Sequence, residues 1–311
     1  MLETRLDDHL GRARRVLLAG CGGGYDVLGA IPLAHQLRAR GLAVELASFS
    51  FSYLNALDAA RDEHYPNLYA VGAAAATEAA YCPEAWLARW LDEELGGTHF
   101  VWSFEKTGVR PLERAYRALV EHLAIDAIIL VDGGIDAALR GDETSLGTPA
   151  EDLTSLAAVT ALADIPIALA CVGLSSELRD GIAHAQFFER IAELARESAY
   201  LGAGALVPGT PACDAYVRAV EYVFAGQMHQ KRSHVHSVIT RSLAGEFGAK
   251  APHVWLSPLA SMFWYFDARA VARTHVFLDD LRATDGIWDV ANRIADRRSL
   301  MDIRRHSAIP L

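Results

Sequence analysis

A chain of 311 residues, 52% of them hydrophobic, is long enough to bury a large core as one extended domain or two smaller ones. Its formal net charge of −10, from 29 Lys and Arg against 39 Asp and Glu, disfavours nucleic acid and anionic membrane as partners, since such binders concentrate positive charge. Cys21, Cys82, Cys171 and Cys213 are scattered without CxxC spacing, the pattern of buried thiols in a reducing compartment. Met1 to Arg15 is charged and lacks an apolar leader core, and no stretch reaches the length of a membrane span, so the expected location is the cytoplasm.

Residues 2–15 read as a short polar helix leading into an apolar run, Val16 to Ala19, which ends in the cluster Gly20-Cys21-Gly22-Gly23-Gly24. That is a buried parallel strand whose turn must let a ligand approach the backbone. Val27 to Arg40 has helical spacing and Gly41 suits its C-terminal cap; Ala43 to Phe49 is a second strand, completing a β-α-β unit. Asn67 to Gly72 is a short strand, and a helix begins near Pro83 and runs to Leu95. Thr98 to Phe104 is a strand, followed by a helix from Leu112 to Leu123 with Pro111 in its first turn. Ala127 to Val131 and Pro166 to Val172 are buried strands flanking an apolar helix at 150–163; a helix from Phe187 to Ser198 leads to Leu201 to Val207, which is strand-like or simply a packed glycine turn. The last third reads as mainly helical: Pro211 to Phe224, His236 to Phe247, Ala268 to Leu278, and Asp285 to Arg297 with Thr284 as N-cap. His253 to Leu256 adds an edge strand, and the aromatic run Phe263 to Phe266 is core or a subunit contact. The alternation predicts a Rossmann-like α/β three-layer sandwich with a mostly parallel sheet. One domain would span 1–311, with the sheet core in 1–207 and a helical C-terminal cap in 208–311.

In a parallel sheet the loops after the strands share one edge, where ligands bind. The glycine turn comes first: Gly22, Gly23, Gly24 and Asp26 are candidates to hold an anion or sugar through backbone N–H groups, with Ser50 at the end of the second strand. The dinucleotide fingerprint is incomplete, because Tyr25 stands where its third glycine belongs and no acid closes the second strand, which makes NAD(P) a weaker candidate. The run Asp132-Gly133-Gly134-Ile135-Asp136 with Arg140, Asp142 and Glu143 groups four carboxylates with one arginine at the end of a buried strand. Such acids serve as general acid or base or hold Mg²⁺, with Arg140 on the substrate; the alternative is a structural ion-pair network. Ser175 and His184 follow the next strand, with His184 as catalytic base or as a cap. Lys106 and Arg110 either neutralise an acidic substrate or are simply solvated. His229, His234 and His236 lack zinc-ligand spacing, but His234 and His236 are expected to line the pocket from the cap.

The glycine turn, Val131-Asp132-Gly133-Gly134-Ile135-Asp136 with Arg140-Gly141-Asp142-Glu143, and His184-Ala185-Gln186-Phe187, in that order, resemble the uncharacterised family known as domain of unknown function 1152 over nearly the whole chain. The resemblance implies no particular activity, and Ile135 departs from the small polar residue it would imply there. Three functional readings stay open. The first is an enzyme that hydrolyses, or transfers a group on, a small polar, nucleotide-like or anionic metabolite, using Asp132, Asp136, Asp142, Glu143 and His184. The second is an NAD(P)-dependent oxidoreductase, and the third a non-catalytic ligand-binding protein that forms a homo-oligomer through its apolar cap.

Overall fold

The apolar runs of the sequence become strands because each carries side chains that can be buried on both faces. In the computed structural model, which describes residues 4–61, 65, 67–251 and 254–306, eleven strands are formed: β1 Arg15–Gly20, β2 Ala43–Phe49, β3 Ala60–Arg61, β4 Leu68–Val71, β5 Val101–Phe104, β6 Ala127–Asp132, β7 Ile167–Val172, β8 Tyr200–Ala205, β9 Gly248–Ala251, β10 Val254–Leu256 and β11 Met262–Asp267. The α-helices are α1 Leu6–Leu10, α2 Ile31–Ala39, α3 Pro83–Leu95, α4 Val109–Leu123, α5 Pro149–Thr160, α6 His184–Arg196, α7 Pro211–Gly226, α8 His234–Leu243, α9 Ala268–Thr274, α10 Leu278–Leu281 and α11 Ile287–Ser299.

Nine strands make one sheet in the order β3-β4-β5-β2-β1-β6-β7-β11-β8, and β9 and β10 form a separate hairpin. The central five, β5-β2-β1-β6-β7, are mutually parallel. β4 and β11 pair antiparallel to β5 and β7. Alternate residues of the central strands point to opposite cores. Leu17, Ala19, Ile128, Leu130 and Leu169 pack with α4, α5, α9 and α11. Val16, Leu18, Ile129, Val131 and Ala170 pack with α2, α3 and α7. The architecture is therefore mixed α/β, with a large, mostly parallel sheet covered by helices on both faces. Among the described residues no helix is long and apolar enough to cross a membrane, and all four cysteines are free and buried.

Several boundaries differ from the sequence expectation. The aromatic run is β11, a full member of the main sheet, so the segment after 208 is not a purely helical cap. Its continuous apolar pattern lacks the alternation that marks a strand with one wet face, because Phe263 and Tyr265 enter one core and Trp264 and Phe266 the other. α4 starts at Val109, which puts Arg110 in its first turn. Thr284 does not cap α11; its hydroxyl accepts from the Val109 N–H at 3.0 Å and donates to the Leu281 carbonyl at 2.6 Å, joining α10 to α4. α6 begins at His184, earlier than expected. Of the expected strand from His253 to Leu256, His253 lies outside the described residues and the remainder is β10.

Candidate functional site

The order of the parallel strands reverses at β1. The chain steps from β1 to β2 and β5 on one side, then crosses back to β6 and β7 on the other. Loops leaving the carboxyl ends of β1 and β6 therefore diverge and leave a crevice between them. A cleft of about 410 Å³ lies there, bringing together Gly22, Gly23 and Asp26 from the first loop, Asp132, Gly133 and Asp136 from the second, Thr148 and Asp152 from the start of α5, and Glu177 after β7. Asp132, Asp136, Asp152 and Glu177 are buried. The exposed Arg179, Lys231 and Arg232, together with His234 and with Asp180, which lies 3.6 Å from Arg179, line the outer part, and Phe51 and Tyr81 form an aromatic wall.

The glycines serve the carboxylates. A Cβ on Gly22 would stand inside 3.0 Å of both Asp152 Oδ1 and Asp26 Oδ2, and one on Gly133 would overlap Asp26 Oδ1. Two acids thus occupy the space that side chains would take. The Gly22 N–H donates to Asp26 Oδ2 at 2.7 Å, so this donor of the turn is already satisfied by the protein's own carboxylate and is not free to cradle an incoming anion. Asp132 Oδ2 accepts from the Ala137 N–H at 3.1 Å, and Asp136 Oδ2 from the Thr148 N–H at 3.0 Å. Among the described residues, none of Asp26, Asp132, Asp136, Asp152 and Glu177 is paired with a lysine or arginine.

Crowding of buried, unpaired acids raises their proton affinity. Burial, then repulsion from neighbouring acids such as Asp136, lifts Asp26 to about 7 against the opposing Gly22 hydrogen bond. Burial is also the main reason that Asp136 rises to about 6. Asp132, Asp152 and Glu177 are pushed well above the ordinary carboxylate range, first by burial and then by one another and Asp136. Below the cleft, Cys21 Sγ donates to the Asp152 carbonyl at 3.5 Å. Burial, then nearby acids, pushes the Cys21 and Cys171 thiols up, so both stay protonated.

Of the residues singled out from the sequence, Gly22, Gly23, Asp26, Asp132 and Asp136 meet in this cleft. Gly24 belongs to the same turn, at φ +63°, with its α-carbon against Phe51 and Tyr81. The others are engaged elsewhere. Glu143 is fully buried and accepts from the Arg140 and Gly141 N–H groups, while Arg304 binds both Glu143 and Asp142. Arg140 lies 3.8 Å from Asp142 and 3.6 Å from Glu193. The structural-network alternative therefore describes Arg140, Asp142 and Glu143, and the cation that completes it comes from the C-terminal tail, beyond reach of any local pattern. Arg110 pairs with Asp285. Lys106 pairs with Glu151 at 3.1 Å and stacks 3.7 Å above the Phe51 ring without lining the cleft.

Ser50 Oγ accepts from the Ser52 N–H, and buried Ser175 shares a hydrogen bond with Ser257. His184 sits in the first turn of α6, outside the cleft lining, its pKa lowered by burial against a backbone hydrogen bond at Leu174. His234 lines the cleft as expected, whereas His236 is buried behind it between the Tyr216 hydroxyl and the Tyr25 carbonyl.

Sequence reasoning missed Asp152 and Glu177. The signal for Asp152 was an acid leading into the apolar part of a helix, at a position that proves buried. Glu177 shared its loop with the more conspicuous Ser175 and His184.

No curated protein and no solved structure matches the chain. One family model matches, over residues 89–304. That stretch contains Asp132, Asp136, Asp152 and Glu177 but begins after the glycine turn and Asp26, so it is shorter at the N-terminal side than the sequence resemblance implied. The chain belongs to the family described as Protein of unknown function (DUF1152).

Proposed function

We propose that the protein is an enzyme that hydrolyses, or transfers a group on, a small anionic metabolite in the cleft between the β1 and β6 loops. The observation that carries this reading is the polarity of the cleft: buried acids at its base, and Arg179, Lys231 and Arg232 around its outer part. A protein surface has no need to bury four acids without cations, and the cost is borne where chemistry uses them. The cations would take the anionic group of the substrate and orient the bond to be broken towards the acids. A carboxylate such as Asp136 would then accept a proton from water or an acceptor hydroxyl. The oxygen of that water or hydroxyl bonds the electrophilic centre, and the leaving group departs with the bonding pair and takes up the proton released by a neighbouring protonated acid such as Asp132.

The parallel-strand order β5-β2-β1-β6-β7, third-second-first-fourth-fifth along the chain, favours a Rossmann-like assignment for the sheet. It does not favour a dinucleotide. A pyrophosphate over the glycine turn would face Asp26 and Asp152, and the Gly22 N–H is already used. Free, buried cysteines favour a reducing, cytoplasmic setting.

The test is untargeted. Purified protein with added divalent cations is incubated with pools of phosphorylated and carboxylated metabolites, and products are followed by mass spectrometry beside Asp136→Asn. Consumption of one class by the wild type, lost in the variant while cooperative melting is kept, supports the reading. Absence of turnover in every pool, or equal turnover in the variant, overturns it.

A further inference from the structure

We propose that Asp26, Asp132 and Asp152 bind one hard divalent cation, Mg²⁺ or Mn²⁺, at the base of the cleft. One carboxylate oxygen from each of the three lies within 4.8 Å of the other two, so a cation seated among them reaches all three with small side-chain adjustments. The second observation is independent of this clustering. Asp152 is only 2% exposed, it lines the cleft, and its Oδ1 has no hydrogen-bond partner. A carboxylate oxygen buried without a donor is costly, and nothing in the fold compels this one, since it lies against Gly22 where a side chain would otherwise have filled the space.

The donor set identifies the ion. All three ligands are carboxylates carried on separate elements: the turn after β1, the end of β6 and the first turns of α5. The open cleft lies on the remaining side for waters or substrate oxygens. That is how Mg²⁺ is held, by few carboxylates with several exchangeable positions, whereas Ca²⁺ takes six to eight oxygens. Zinc and softer ions prefer histidine or thiolate. No histidine belongs to the group, and the neighbouring Cys21 spends its thiol hydrogen on the Asp152 carbonyl. The remaining oxygens are already oriented: Gly22 N–H fixes Asp26, and Ala137 N–H fixes Asp132. The ion would face the anionic group that Arg179, Lys231 and Arg232 receive. This part rests on the proposed function, whereas binding of the ion does not.

The full-length chain, stripped with chelator and desalted, is titrated with MnCl₂ while the electron paramagnetic resonance signal of free aqueous Mn²⁺ is followed; Mg²⁺ is then added as competitor. The expected result is one Mn²⁺ withdrawn per chain, released by excess Mg²⁺, with a rise in melting temperature on metal addition. Asp152→Asn and Asp26→Asn should each weaken binding by about tenfold or more, and Asp285→Asn, whose carboxylate pairs with Arg110 outside the cleft, should bind as the wild type does. If one cleft variant melts without cooperativity, the other and the wild-type titration decide. No withdrawal of Mn²⁺ at millimolar concentration, binding of Zn²⁺ alone, or unchanged affinity in the cleft variants overturns the site. Mn²⁺ binding without turnover would remove the enzymatic reading alone, and turnover indifferent to chelator would remove only the ion's part in the reaction, leaving the titration to decide the site.

Discussion

Replacing Asp136 by Asn should make the metal-free protein more stable at alkaline pH, the opposite of the usual outcome for a buried residue. The fold raises the Asp136 pKa from 3.8 to about 6. A raised pKa means that the stability contributed by its proton is fully present below 3.8 and is lost as pH rises through 6. At pH 8 the wild type has lost all of it, a difference of at most about 3 kcal/mol. Asn keeps an oxygen for the Thr148 N–H and carries no charge. Its new amide hydrogens would sit beside Glu177, since a Cβ on Gly134 would touch both Glu177 Oε1 and Asp136 Oδ1.

Allowing for relaxation of the site, a gain of about 1–2 kcal/mol, or roughly 2–5 °C in Tm, is expected at pH 8 in chelator. The gain should shrink towards zero as pH falls to 4, where the wild-type carboxyl is itself protonated. Thermal melts followed by circular dichroism across this range measure both quantities. A lower Tm for the variant at pH 8, or a difference that stays constant with pH, would refute the account of the cleft as a set of uncompensated acids.

Two further substitutions probe packing, one inside the cleft and one away from its lining. Gly133→Ala should cost about 1–3 kcal/mol by pushing its methyl into the Asp26 carboxylate, and most of that cost should vanish in an Asp26→Ala background; urea unfolding of the double-mutant cycle measures the coupling. Arg190→Met should cost about 2–4 kcal/mol, because the fully buried guanidinium donates to the Ala138 and Val271 carbonyls and the Thr274 hydroxyl, joining α6 to the segment after β6 and to α9. A near-neutral value in the same assay would show that these carbonyls find other partners.

The central strands and the meeting of the β1 and β6 loops were legible in the sequence because they follow from local signals: continuous apolar runs, and glycines at their ends. Asp26, Asp132 and Asp136 could be read for that reason. The sequence misled where the deciding partner is remote. Asp142 and Glu143 looked like members of the acid cluster, yet Arg304, about 160 positions away, pulls them into a network of their own. Arg110 is taken by Asp285 in the same manner. The glycine turn suggests a ligand close to the backbone, but what approaches Gly22 and Gly133 is a pair of carboxylates, and a pattern of glycines does not report the charge of its neighbour. Asp152 was hidden because it stands beside the partly exposed Glu151 at the start of a helix whose following residues, Leu153 to Val159, are buried.

The arrangement of β7, β11 and β8 also has a consequence for synthesis. β8 ends at Ala205, but among the described residues its only neighbour in the sheet is β11, which ends at Asp267. While the chain emerges from a ribosome, β7 therefore has an open edge and β8 has no strand to pair with until some sixty further residues have been made. A nascent chain stalled before Met262 should bind chaperones that recognise bare strands, and release from them should coincide with the arrival of that one aromatic segment.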